Sequence, residues 1–159
     1  MEIVFQDLEK IVNSPCGDGS FKIEVEGESV TKVGEFDFIG CYVLTDMMDL
    51  AKALVKLKQG EDEITVKLNG SIFSIDLERA NDQEVGVTTR VMVDSDGFLE
   101  KNSGEYLVEI NDFCREMIRV IDRMEETRKP EQDDYPARWK RLGETLKELR
   151  KQLKALLAS

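Results

Sequence analysis

The sequence predicts an α+β fold: a mostly antiparallel β-sheet with two amphipathic helices packed on it, and a C-terminal basic amphipathic helix. Three observations predict it. Apolar residues alternate with polar ones at Phe21, Ile23 and Val25, the period of a strand with one wet face. They recur at spacings of three and four over 47–57 and again over 113–124, the period of a helix with one buried stripe. Between these stretches lies Asn69-Gly70, flanked by apolar runs, a hairpin signal that calls for antiparallel pairing.

The elements follow in chain order. Residues 1–12 fit either a short helix, through Val4, Leu8, Ile11 and Val12, or a strand at 3–5. Asn13-Ser14-Pro15 and Gly17-Asp18-Gly19 then break the chain. The strand at Phe21 comes next, and a second short strand is expected over 31–38, with Gly27 near the turn. Thr45 is a good N-cap for a helix starting at Asp46. Met47, Leu50, Ala51, Leu54 and Leu57 form its stripe, and Gly60 closes it. Asp46 and Asp49 near its start, with Lys56 and Lys58 in its last turn, complement the helix dipole.

A type I′ turn at Asn69-Gly70 sets Leu68 opposite Ser71, Val66 opposite Phe73 and Ile64 opposite Ile75. Val85, Val87, Val91 and Val93 alternate in a further strand, Asp94-Ser95-Asp96-Gly97 turns the chain, and Tyr106, Val108 and Ile110 make another. A second helix begins near Asn111 or Asp112, either of which can cap it. Its stripe is Phe113, Met117, Val120, Ile121 and Met124.

Charge divides the chain. Its 159 residues carry 33 acidic and 22 basic side chains, net −11, and roughly 100–200 residues is the size of one domain. Residues 137–159 hold 7 Lys or Arg against 2 Asp or Glu, net +5, which leaves 15 against 31, net −16, for 1–136. The expected organisation is an acidic domain over 1–128, a polar linker over 129–136 with two prolines, and the basic helix over 137–159. Trp139, Leu142, Leu146, Leu149, Leu153 and Leu156 form a heptad-like seam on that helix. The seam can dock on its own acidic domain, pair two chains as a homodimer, or serve another partner.

The absence of histidine excludes every catalytic arrangement that needs an imidazole, from Ser-His-Asp and Cys-His pairs to HExxH zinc sites. Asp94 and Asp96 match only a fragment of a calcium loop and read as a solvated turn. Cys16, Cys41 and Cys114 are odd in number and widely spaced, which suits reduced thiols buried as small hydrophobes. No catalytic residue, cofactor or metal site is expected, and the chain reads as non-enzymatic. A cytoplasmic protein is expected, because no secretory signal opens the sequence and no apolar run approaches the roughly 18–20 residues of a membrane span. The acidity argues against direct nucleic-acid binding.

The same acidity favours a protein partner with a basic surface, met fast because opposite charges steer encounter. Glu24, Glu26 and Glu28 on one strand, with Glu35 and Asp37 on the next, are the candidate partner-binding residues. Their alternative reading is a solvated sheet face.

One segment adds a family expectation. CYVLTDMMDLAKALVKL, residues 41–57, resembles the stretch of WapI-type immunity proteins where a C-L-T-x-x-E-L-x-x-L string opens the first helix. The order that follows is similar over about residues 20–126: a hairpin (ITVKLNGSIFSIDL), a valine-rich strand, then EYLVEINDFCREMIRVIDRM. Asp49 stands where the family has glutamate, one residue further from Thr45. Val66-Lys67-Leu68-Asn69 occupies the place of the family's Glu-Pro-Asn-Leu. The resemblance implies a non-catalytic immunity protein that binds and neutralises a cognate toxin domain. The alternative is a viral counter-defence inhibitor, an acidic nucleic-acid mimic that blocks a host nuclease.

Overall fold

The computed structural model describes residues 1–14, 17–91, 101–132 and 136–159. The ambiguous N-terminus is both things in succession. Strand β1 spans Glu2–Gln6, Asp7 turns the chain in a left-handed conformation (φ 53°), and its side chain caps helix α1, Leu8–Asn13. Strand β2, Ser20–Val25, pairs antiparallel with β1, setting Ile3 opposite Ile23 and Phe5 opposite Phe21.

The type I′ geometry occurs here and not where the sequence placed it. Glu26 (φ 52°) and Gly27 (φ 82°) both take positive φ between β2 and β3, Glu28–Ser29. The expected strand over 31–38 is absent. Gly34 (φ 60°) folds that stretch into a tight turn closed by Val33 and Phe36, whose backbones exchange hydrogen bonds of 2.8 and 3.0 Å. Buried Thr31 does part of a strand's work: its hydroxyl accepts the Ile23 N–H and donates to the Asp37 carbonyl.

Helix α2 spans Val43–Lys58 and buries the expected stripe. Thr45 is not its cap. The helix starts three residues earlier than expected, at Val43, with no side-chain cap, because the Gly17 carbonyl already accepts the Val43 N–H at 3.0 Å. Its end is as expected: Gly60 (φ 107°) donates to Leu57 and Glu61 to Lys56, a Schellman closure.

Strands β4, Glu63–Lys67, and β5, Phe73–Arg79, form the expected hairpin in a shifted register, with Val66 opposite Ile75 and Ile64 opposite Leu77. The shift is two residues, so the same side chains stay on the buried face. Only Gly70 of the pair takes positive φ, and Ser71 N–H bonds Leu68 carbonyl, the pattern of a type II turn. Asn69 is held elsewhere, by Asp46 and Asp49 of α2.

Strand β6 spans Glu84–Val91, β7 Lys101–Asn102 and β8 Tyr106–Glu109. Val85, Val87 and Val91 are buried, whereas Val93 and the Asp94–Gly97 turn lie outside the described residues. Helix α3, Ile110–Thr127, follows β8 without a break. Neither Asn111 nor Asp112 caps it. The Gln83 carbonyl takes the Ile110 N–H at 2.8 Å, while Asn111 accepts from Lys58 and Asp112 from Arg115.

Among the described residues the strands make two antiparallel sheets, β1-β2-β3 and β4-β5-β6-β7, with β8 also on β6. Helix α2 packs on β4, and α3 packs on β1, β8 and α2. Thr89 of β6 donates to the Val30 carbonyl beside β3, joining the two sheets at 3.0 Å.

Helix α4, Pro136–Ala158, lies across α2 and α3. Trp139, Leu146, Leu149 and Leu153 are buried there and Leu142 and Leu156 partly so, within the same core as both sheets. The seam is therefore largely closed within the chain, with only Leu142 and Leu156 partly exposed. The stretch before it is not a plain linker: Pro130–Gln132 makes a 3₁₀ turn, and Lys129 donates from its backbone to Asn13 and pairs with Glu9. No helix among the described residues is long and apolar enough to cross a membrane.

Candidate functional site

The β2–β3 hairpin carries the acidic set. Strand pleating puts Lys22 and Glu24 on one face, and Lys22 Nζ lies 2.8 Å from Glu24 and 3.7 Å from Asp37. The ammonium also stands over the Phe38 ring, 5.0 Å from its centroid. The Glu24 hydrogen bond raises the Lys22 pKa above the ordinary lysine value. Two of the five carboxylates are thus already paired.

Glu24, Glu28 and Asp37 line an open cleft of about 520 Å³ together with Lys22, Lys32 and Tyr106. Glu26 is exposed at the hairpin turn and Glu35 at the Gly34-Glu35 turn, and neither lines that cleft. The acidic face is interrupted, because Lys22 belongs to it. That signal was present in the sequence, two residues before Glu24. Tyr106 could not be placed there from the sequence, since β8 lies in the other sheet.

Glu2 stands opposite Glu24 across β1 and β2, with Arg119 at 3.9 Å from Glu2. Arg119 in turn holds the buried carboxylate of Glu116 through both guanidinium arms, at 2.7 and 2.6 Å. This Glu116 hydrogen bond raises the Arg119 pKa. The second oxygen-rich site is Asp46, wholly buried at the start of α2 and not singled out by the sequence as a functional residue. Burial pushes its carboxyl up to about 6, against hydrogen bonds from Asn69 that lower it.

Among the described residues no group of three or more Cys, Asp or Glu could hold a metal ion. Cys114 is buried, and desolvation raises its thiol pKa to about 11; Cys41 is half-buried. Cys16 and the Asp94/Asp96 pair lie outside the described residues. The hairpin presents Glu26, on its turn, and Glu28, at the start of β3, to solvent.

No protein-family model matches this chain, and neither a curated protein nor a solved structure does. The immunity-protein resemblance has only its quoted motifs behind it.

Proposed function

We propose that this chain is a non-catalytic binding protein, an immunity protein that occludes a cognate toxin domain bearing a basic surface. The observation that carries this reading is the uncompensated acidity of the hairpin tip. Lys22 is committed to Glu24 and Asp37, while Glu26 stands exposed on the two-residue Glu26-Gly27 turn and Glu28 stands exposed at the start of β3 beside it. A rigid anionic tip loses little entropy on contact, and opposite charge accelerates encounter. The net charge of −11 extends the same field over the molecule.

Co-expression with a basic effector domain encoded beside the gene tests the reading. The expected result is a one-to-one complex whose kon falls as salt rises. Glu26→Lys with Glu28→Lys is expected to lower kon by about tenfold while leaving the fold intact. Recovery of the effector domain free of this chain would refute the proposal.

A further inference from the structure

The strongest feature outside the hairpin is the open edge of β4. This strand has one neighbour, β5, and among the described residues no strand pairs with its other side. The hydrogen bonds at the two ends of the ladder, from Leu68 N to Phe73 O and from Arg79 N to Asp62 O, fix which groups face β5. They are those of Asp62, Ile64, Val66 and Leu68. By alternation the backbone N–H and C=O groups of Glu63, Thr65 and Lys67 point outward. Such an edge is a template for another strand.

We propose that the occupant is a second copy of this chain, joined by antiparallel pairing of β4 with β4 about a two-fold axis at Thr65. The strand reads Glu-Ile-Thr-Val-Lys, residues 63–67, and it is complementary to its own reverse. With Thr65 opposite Thr65 of the other copy, Glu63 of each meets Lys67 of the other, and Ile64 meets Val66. Parallel pairing would instead set glutamate beside glutamate and lysine beside lysine. Opposite charges directly across a ladder stabilise it and like charges oppose it, so the sequence selects the antiparallel, isologous arrangement.

The monomer leaves both charges exposed to solvent. Neither Glu63 nor Lys67 has a counter-ion among the described residues, and Glu63 faces Glu78 across the hairpin. In the dimer, Lys67 of the other copy joins that glutamate pair. The flanking helix agrees. Asp49, Lys52 and Lys56 of α2 line a cleft of about 480 Å³ beside the edge. Asp49 stands at the Lys67 end, where it accepts from Asn69 at 3.0 Å. The two-fold runs the two α2 helices antiparallel, which turns Asp49 of one copy toward the Lys56 end of the other. This contact is separate from the acidic hairpin, and it holds whether or not a toxin is the partner.

Sedimentation equilibrium of the full chain tests it. The expected species is a dimer of twice 18.1 kDa that dissociates on dilution. Glu63→Lys puts lysine at both ends of the strand, and Lys67→Glu puts glutamate at both ends. Each alone is expected to raise the dimer dissociation constant by about tenfold or more, since each creates like-charge pairs at both ends of the ladder. An equimolar mixture of the two variants is expected to restore a dimer, because each strand then meets its opposite. Circular dichroism of each variant establishes that it is folded. A chain that stays monomeric at every concentration overturns the proposal, as does a dimer unmoved by both substitutions. Protection of the Glu63, Thr65 and Lys67 amides only on adding a foreign protein also overturns it, and assigns the edge to that protein.

Discussion

Asn69 donates both its backbone N–H, at 2.7 Å, and its side-chain amide, at 3.2 Å, to one carboxylate oxygen of Asp46. The contact ties the first turn of α2 to the β4–β5 turn across 23 residues of chain. It also explains why that turn departs from type I′: the asparagine that would have taken positive φ is held by the helix.

Asp46 gives the first prediction, a pH dependence. Its carboxyl is raised to about 6 by burial, with Asp49 adding repulsion, so the folded state holds the proton more tightly than the unfolded chain. Stability from this group is then greatest at low pH and falls as pH rises from about 4 to about 6, by about 3 kcal/mol. Asp46→Asn keeps an acceptor for Asn69 and does not titrate. Its urea-unfolding free energy is expected to exceed wild type at pH 7 by up to about 3 kcal/mol, and the difference between the two is expected to vanish near pH 4. Parallel profiles across that window would show that Asp46 does not titrate there.

Glu116 gives the second. It is 7% exposed, accepts the Ile3 N–H of edge strand β1 at 2.8 Å and is forked by Arg119. Glu116→Ala strands a buried N–H and is expected to cost about 2 kcal/mol, the ion-pair share being small because Arg119 is partly solvated. Glu116→Gln retains an acceptor for Ile3 and is expected to cost less than half as much. Equal losses in denaturant melts would mean that the hydrogen bond to Ile3 contributes nothing.

Helix α4 gives the third. Basic residues reach acidic α3, Lys147 to Glu125 at 2.9 Å and Arg150 to Asp122, but these pairs are substantially solvated. Leu153 is wholly buried. Leu153→Ala is expected to cost about 2–4 kcal/mol, and Lys147→Ala less than about 0.5. Thermal melts in low and high salt check this. A larger loss from the lysine would make charge the main anchor of the helix.

The sequence made the periodic parts of this fold legible. The stripes of α2 and α3, the Gly60 closure and the buried faces of β2 and β6 depend on local spacing, and they are where the pattern puts them. Caps and turns were less legible because distant backbone took over their work. Gly17 and Gln83 carbonyls receive the first amides of α2 and α3, which left Thr45, Asn111 and Asp112 without a capping role. The acidic set was visible as composition, but its pairing required knowing that Asp37 folds back beside Lys22. The fate of the leucine seam depended on whether α2 and α3 leave an apolar surface between them, a tertiary fact no local window contains.

Two glycines give the last prediction. Gly27 and Gly70 both take positive φ, at 82° and 70°, so either substitution by alanine meets the same backbone strain, about 1 kcal/mol. They differ in what surrounds them. A Cβ at Gly27 would meet nothing within 4 Å, whereas one at Gly70 would lie 2.4 Å from the Tyr42 ring. Tyr42 is the N-cap residue of α2, so displacing its ring disturbs the same helix start that Asp46 ties to the turn. Gly70→Ala is therefore expected to cost about 1–3 kcal/mol more than Gly27→Ala, as overpacking adds to strain. Tyr42→Ala should remove most of that excess when combined with Gly70→Ala, because the clash is lost with the ring. A double-mutant cycle measured by denaturant unfolding reads the coupling directly. Additive losses in that cycle would mean that the ring is not what excludes a side chain at Gly70.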